Sequence, residues 1–537
     1  MKIVLAEKVS PATLAVFQQE LGWDVITHAQ IKNGLAAELA DADALVVRSA
    51  VEVDNALLES APRLRVIGRA GVGVDNIDAE AATRRGIVVM NTPGANAVAV
   101  AELTIGLMLA LGRQLPQANI GMHAGKWEKK SLNGSELRAK TLGILGLGRV
   151  GLEVAKRARV FGMELIGHDP FVSAAIAREA GIKLVSVEDL FKESNYLSLH
   201  VGLTPQTAGI INEATIATMK HGVRIINCAR GELIVDQALL EGLKSGKIAG
   251  AALDVFREEP LKDSPFTSFE NVILTPHIAG STAEAQEAVG VQIAMQVREY
   301  LKHGVVQNAV NLPSLSHEEY QEVAPYLDMA QRLGAFLGNS LQGNIESIHL
   351  TYSGRLAEAK TELVRNAAIQ GILAQSELVN RINAASVAAE RGIRVHEEKD
   401  SAATGGAGSV LTVSLHANSG EATGSATVLH GNSPRLLNLD GIDIEAPLQG
   451  TLVTLRNLDV PGVIGRIGTI LGEHQVNIAN FALGRAVPGR HRHSRNVPVG
   501  SALAVVQVDG NVTAKVLDAL RAAEGIVRAG LVSLNGA

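Results

Sequence analysis

Only one cysteine, Cys228, occurs in the chain, so an internal disulfide and a cysteine-built zinc cluster are excluded and a reducing compartment is expected. Two residues before Arg230 in an apolar run, it reads as a small buried side chain rather than a nucleophile. Neither sign of charge dominates: the net charge of -6 leaves no broad basic surface for nucleic acid and no polybasic anchor for a membrane. Long hydrophobic runs are missing as well. The longest, residues 97 to 112, is interrupted by Glu102 and falls short of the roughly 20 apolar residues of a membrane span. The N-terminus MKIVLAEKVS runs straight into a strand pattern without the features of a signal peptide. These absences point to a soluble, cytoplasmic protein whose partners are small molecules, with no nucleic acid and no membrane.

What is present is apolar and regularly patterned. With 537 residues, 47% hydrophobic and 19% charged, the chain exceeds a single core and divides into three or four domains. KIVLA, WDVITH, ADALVVRS, LRVIGRAG and GIVVMN are short strand-like runs separated by helical stretches, which indicates βαβ units and a parallel sheet. A long apolar helix (AVAVAELTIGLMLALGRQL) and a polar segment with an exposed tryptophan (HAGKWEKKSLNG) follow. A second series starts at Thr141 and runs TLGILGLG, ELIGHDP, NYLSLHV, RIINCAR, IAGAALDVF and VILTPH, closed by a helix at about 281 to 303. Beyond NLPSLSHEE, Ala-rich helices and then Gly/Ser/Thr-rich strands indicate an α+β domain, with a glycine-rich loop at 404 to 408. From about 449 the order strand, helix, strand, strand, helix, strand is that of the ferredoxin-like split βαβ unit.

Gly146, Gly148 and Gly151 form G-x-G-x-x-G between an apolar strand and a helix. In that setting the first glycine makes the turn, the second admits a pyrophosphate to the backbone, and the third lets helix pack on strand. Asp169, eighteen residues past Gly151 at the end of the next strand, is placed to accept the ribose hydroxyls and to favour NAD over NADP. The upstream GRAGVGVDN has no third glycine in register and reads as a substrate-side loop whose glycines permit close backbone approach. A nicotinamide reaction needs a proton acceptor and an anion clamp. Arg230, Glu259 and His277 lie just past apolar strands, where such a sheet places its ligands, and supply a bidentate clamp, a supporting carboxylate and an imidazole. His474, His491 and His493 do not amount to a metal site, because GRHRHSRN reads as a solvated basic loop; no metal is expected.

GRAGVGVDN, NTPGANAVAVAELT, KTLGILGLGRVG, LHVGLTPQT, INCARGELIVDQALL, AALDVFREEP and LTPHIAGST together resemble the NAD-dependent D-2-hydroxyacid dehydrogenases, over essentially the whole chain. ELVRNAAIQGIL and LNLDGIDIEAP resemble the intervening domain of the family's long form, and NLDVPGVIGRIGTILGEHQVNIANFALGR resembles an ACT regulatory domain. The resemblance implies an α/β protein with two doubly wound parallel-sheet domains. A discontinuous substrate domain (1–97 and 285–312) encloses a Rossmann NAD domain (98–284), and an α+β intervening domain (313–447) and a ferredoxin-like ACT domain (448–537) follow.

The activity it implies is NAD-dependent oxidation of 3-phospho-D-glycerate to 3-phosphohydroxypyruvate, the entry to L-serine synthesis. A hydroxypyruvate or glyoxylate reductase is the alternative within the chemistry, and a NAD-sensing corepressor or scaffold the alternative outside it. Arg230, Glu259 and His277 match the family's catalytic trio; Arg48, Ser49, Arg69 and Asn91 fall to the substrate pocket; Val72, Arg149, Val150, Thr204, Ala229, Asp254 and Gly280 fall to the nicotinamide side. Asp459 and Asn477 match the segments with which ACT pairs bury a small amino acid such as L-serine. A homodimer or homotetramer is implied, with Trp127, Lys129 and Lys130 near the partner subunit. Two departures stand out: Val51-Glu52 replaces the Thr-Lys of many relatives, and AVPGRHRHSRNVPVG is longer than the usual ACT hairpin connection.

Overall fold

The computed structural model describes residues 1–312, 317–341, 343–374, 379–400, 408–486 and 500–534. The first sheet is parallel, in the order β2-β1-β3-β4-β5, from β1 (Lys2–Leu5), β2 (Asp24–Thr27), β3 (Ala44–Val47), β4 (Val66–Arg69) and β5 (Val88–Met90). All four residues of β3 are buried, as expected for a strand covered on both faces, which is why its run ALVV shows no alternation.

The second sheet is also parallel, ordered β12-β11-β10-β9-β6-β7-β8. Its strands are β6 (Thr141–Leu145), β7 (Glu164–His168), β8 (Lys183–Leu184), β9 (Tyr196–Leu199), β10 (Val223–Asn227), β11 (Ile248–Leu253) and β12 (Val272–Leu274). The order reverses direction between β6 and β9, the switch point at which doubly wound sheets bind their ligands. Helix Ala97–Arg113 packs over this sheet and ends where Gln114 turns left-handed (φ 51°). A separate helix, Leu115–His123, then starts with Pro116 in its first turn, so the single helix expected to run through Leu115 is broken at Gln114. The two helices are bent by 65°, and among the described residues no single helix is long and apolar enough to cross a membrane. Trp127 is 80% exposed.

The chain passes from the first sheet to the second after β5 and returns through helix Ala283–His303. Ile293 and Val297 of that helix lie fully buried over β4, each contributing about 1.5–3 kcal/mol of apolar burial.

The third sheet is mixed, ordered β14-β13-β15-β16-β17-β18: β13 (Ile345–Ser353), β14 (Arg394–Asp400), β15 (Val410–Ala417), β16 (Gly420–Leu429), β17 (Ser433–Leu439) and β18 (Ile442–Pro447), with only β13 and β14 parallel. The fourth is antiparallel, ordered β20-β21-β19-β22: β19 (Thr451–Leu458), β20 (Asn477–Arg485), β21 (Ser501–Asp509) and β22 (Ile526–Ser533). Its two faces have different neighbours. Val453, Leu455, Ala504 and Val506 pack beneath helices Val463–Glu473 and Ala514–Ala522, while Leu452, Leu503, Val505 and Val532 join the core of the third sheet. Residues 404–407 of the glycine-rich loop and 487–499 of the basic loop, with His491 and His493, lie outside the described residues.

Candidate active site

Each glycine of the dinucleotide motif has its own constraint. Gly146 sits at φ 93°, and a Cβ there would meet the carbonyl of His200 at 2.5 Å. Gly151 faces the carbonyl of Gly146 too closely for any side chain, whereas a Cβ on Gly148 would point into open space. Gly148 also caps helix Arg149–Val160, whose first N–H groups face that space. At the end of β7 the Asp169 carboxylate accepts the Leu147 N–H at 2.8 Å and the Phe171 N–H at 2.8 Å, so it tightens the loop and leaves further lone pairs for hydroxyl donors. The cradle fits a dinucleotide.

Around it the residues that the resemblance assigned to the nicotinamide side have structural tasks of their own. Arg149 donates to the Pro93 carbonyl at 2.7 Å, reaching from the second sheet to the chain after β5. Val150 is half-buried in the core beneath the loop. Thr204 and Thr207 exchange backbone-to-hydroxyl bonds of 2.8 and 3.2 Å in the turn after β9. Ala229 donates to Asn227 Oδ1 at 3.0 Å, and Gly280 lies against Asn96. The Val72 carbonyl accepts from Asn91 Nδ2 at 2.5 Å. His200, beside Gly146, is partly buried, and desolvation of its ring lowers the imidazole to about 4; its Nε2 lies 2.8 Å from Ser198 Oγ.

The trio past β10, β11 and β12 is held by two buried polar residues at strand ends. Asn227, the last residue of β10, accepts the Ala229 N–H and donates to the Arg230 carbonyl at 2.8 Å, which fixes the turn that carries Arg230. Asp254, just past β11 and fully buried, accepts the Thr275 hydroxyl at 2.6 Å and the N–H groups of Ile278 and Ala279, each at 2.9 Å. Between these acceptors His277 adopts φ 52°, a left-handed conformation costly for a residue with a Cβ. Its Nδ1 lies 2.7 Å from Glu259 Oε2, and the other Glu259 oxygen accepts the Phe256 N–H at 3.0 Å. The bond to Glu259 engages Nδ1 and turns Nε2 to the cleft.

That cleft measures about 960 Å³ and is lined from both sheets, by Arg48, Ser49 and Arg69 on one side and Glu259, His277 and Gly280 on the other. Arg69 is mostly buried, and its Nε has no hydrogen-bond partner, so it is a buried donor suited to an anion. Burial and then the nearby Arg230 charge lower its affinity for its proton. Glu7, at the end of β1, accepts the N–H groups of Arg48, Ala50 and Val51 at 2.8 to 3.3 Å and so shapes the loop that presents Arg48 and Ser49. Within that loop Val51 is tied through its backbone, and Glu52 is exposed. The GRAGVGVDN loop does allow close approach: the Arg69 guanidinium packs on Gly71 and that of Arg230 on Gly73. Sequence reasoning missed Glu7, Asp75 and Asn227; a polar residue at the end of an apolar strand was the available signal for Glu7 and Asn227.

Asp459 and Asn477, the residues matched to the interface of paired ACT domains, lie far apart within the single chain. Asn477 pairs in register with Asp509 at one end of β21, while Asp459 follows Leu458, which pairs with Ser501 at the other end. Nine residues of β20 separate the two ends, about 25 Å at strand spacing. Asp459 pairs instead with Arg485 at 3.3 Å, and Asn477 donates to Asp509 at 3.0 Å. The third histidine considered for a metal, His474, has its Nδ1 2.9 Å from the Ile470 carbonyl.

Comparison with known proteins agrees with this geometry. Residues 105–279 match the D-isomer specific 2-hydroxyacid dehydrogenase NAD binding domain, residues 322–440 the D-3-phosphoglycerate dehydrogenase intervening domain, and residues 451–525 the ACT domain. The chain is similar to the D-3-phosphoglycerate dehydrogenase of Methanocaldococcus jannaschii, 39% identical over 99% of this chain and 100% of that one. It is 37% identical to the D-3-phosphoglycerate dehydrogenase of Bacillus subtilis, over 93% of each. Among solved structures, a glyoxylate reductase from Paecilomyes thermophila matches at 31% identity with a TM-score of 0.52, covering 58% of this chain and 98% of that one. A D-lactate dehydrogenase from Aquifex aeolicus, solved with NAD and lactic acid, matches at 28% identity with a TM-score of 0.50, covering 58% and 100%. With its NAD domain, intervening domain and ACT domain all matched, the chain belongs to the D-isomer specific 2-hydroxyacid dehydrogenase family, and within it to the D-3-phosphoglycerate dehydrogenases.

Proposed function

We propose that this NAD-dependent dehydrogenase oxidises 3-phospho-D-glycerate at C2 to 3-phosphohydroxypyruvate, the first step of L-serine biosynthesis. The observation that carries the reading is the His277–Glu259 pair at 2.7 Å, facing Arg48 and Arg69 across one cleft. Bound NAD supplies the acceptor for the hydride that leaves C2. His277 takes the C2 hydroxyl proton at Nε2, and the Glu259 carboxylate stabilises the positive charge that the ring acquires. Arg230 clamps the substrate carboxylate and polarises the forming carbonyl. Arg48, Ser49 and Arg69 hold the phosphate end, with the buried Arg69 Nε as one donor. Asp169 receives the ribose hydroxyls.

The units involved are a substrate-binding part, 1–97 with 285–312, a cofactor part, 98–284, and the regulatory parts 313–447 and 448–537. The enzyme assembles as a homodimer or homotetramer; Leu115, Ile120, Met122 and Trp127, each more than half exposed, support a subunit contact there. L-Serine binds at the ACT domain between Asp459 of one copy and Asn477 of another, because two antiparallel β20 edges bring together the ends that a single chain keeps apart.

Turnover of a panel of D-2-hydroxyacids with NAD tests the substrate, and preference for lactate or glycolate over 3-phosphoglycerate would overturn it. His277→Gln should lower turnover roughly 100-fold or more while NADH binding persists. Near-normal turnover would remove the histidine from the mechanism.

A further inference from the structure

Asp75 belongs to none of the groups assigned above to substrate or cofactor. It sits on the turn after β4, on the first sheet's side of the cleft, and its Oδ2 lies 3.2 Å from Arg230 Nη2, which comes from the second sheet. The other terminal nitrogen, Nη1, donates to the carbonyl of Ala229 at 2.7 Å. The guanidinium is therefore tethered at both ends, one tether on its own loop and one across the cleft. Gly73 makes the approach possible, since a Cβ there would collide with Arg230 Nη2 and stand 2.7 Å from the Asp75 carboxylate. The turn is itself anchored: Asn76 Nδ2 donates to the carbonyls of Arg48 at 3.1 Å and Val51 at 2.6 Å, and the Asn76 carbonyl accepts the Val53 N–H at 2.8 Å. Asp75 is thus presented from a fixed backbone. It is also the largest of the charges that offset the effect of Arg230 and Arg48 on Arg69, ahead of Glu7.

We propose that Asp75 is a positioning residue: it sets the orientation in which Arg230 meets the substrate carboxylate, and it ties that orientation to closure of the cleft, because the two partners come from opposite walls. The proposal rests on the reading of Arg230 as the carboxylate clamp. The Asp75 side chain is 74% exposed, and an exposed ion pair contributes little to stability, so its loss leaves the fold intact. Its effect falls on geometry, to which a reacting centre is far more sensitive.

The test is a double-mutant cycle on the full-length enzyme. Steady-state kinetics with 3-phosphoglycerate and NADH binding by fluorescence are measured for Asp75→Ala, Asp75→Glu, Arg230→Gln and the Asp75→Ala/Arg230→Gln double variant. Asp75→Ala should lower kcat/KM by about 10-fold with NADH affinity unchanged, and Asp75→Glu should recover part of the loss. In the Arg230→Gln background Asp75→Ala should cost nothing further. Three outcomes would overturn the proposal: an unchanged kcat/KM in Asp75→Ala, a lower KM there, which would make Asp75 a mere competitor for Arg230, or an equal loss with and without the Arg230 side chain. Near-normal kcat/KM in Arg230→Gln would instead remove the clamp reading itself, and that result is independent of any change at Asp75.

Discussion

The carbonyl of Asp254 accepts the N–H of His277 at 2.9 Å, while its carboxylate accepts those of the next two residues, so one buried residue holds His277, the proposed proton acceptor, in its left-handed conformation. Asp254→Asn keeps one acceptor oxygen and removes the other, leaving the buried Ala279 N–H without a partner. The expected cost is about 1–3 kcal/mol of stability. Turnover should fall with it, because the turn that follows His277 loses one of its anchors. Thermal denaturation and steady-state kinetics check both, and a variant with wild-type stability and rate would refute the assignment.

Asp169 tightens the glycine loop, and in the proposed function it also receives the ribose hydroxyls. Asp169→Ala should weaken NAD more than NADP, since it removes the hydroxyl acceptor and also relieves the repulsion of a 2′-phosphate. The loss of the Leu147 tether should raise KM for both cofactors to some degree. Equal relative changes for the two would show that the carboxylate serves only the loop.

Burial holds His200 neutral, with an imidazole at about 4 against 6.5 for the free side chain. A folded value below the unfolded one means that the unfolded chain takes up the proton first. This contribution to stability is therefore complete above pH 6.5 and is lost as pH falls from there towards 4. Melting temperature followed across that interval should drop less steeply in His200→Gln than in the wild type. Parallel curves would exclude His200 as a source of the acid sensitivity.

L-Serine should inhibit, provided it binds a less active arrangement of subunits more tightly than the active one. Because Asp459 and Asn477 lie at opposite ends of one sheet, the site requires two copies, and inhibition should vanish in any monomeric form. Asn477→Ala should abolish the response without changing basal turnover. Calorimetry that detects no serine binding, or inhibition that survives the substitution, would exclude the site.

The glycine loop was readable in the sequence because its demands are local: φ 93° at Gly146 and the crowding of Gly151 admit no other residue. The strand-end positions of Arg230, Glu259 and His277 followed from the alternation of apolar runs. Asp75 was not readable, because its partner lies 155 positions away and on another sheet. Asp254 drew notice only through the family resemblance; the three donors to its carboxylate belong to the tertiary structure. The break after Arg113 escaped the hydrophobic pattern, which continues past a turn set by the backbone of Gln114. That Asp459 and Asn477 stand at opposite ends of the ACT sheet was not readable either, because it depends on the parallel run of β19 and β20 on the two sides of β21.

The two passages of the chain between the first and second sheets lie side by side, with Asn96 of the outgoing passage against Gly280 of the returning one. These two passages are where a hinge between the halves would lie. His277 stands three positions before Gly280, and Arg230 and Asp75 meet across the cleft between the halves. When the halves swing apart, the His277–Glu259 pair, carried whole by the second half, therefore stays assembled, while the Arg230–Asp75 contact, which spans the two, is the one that opens.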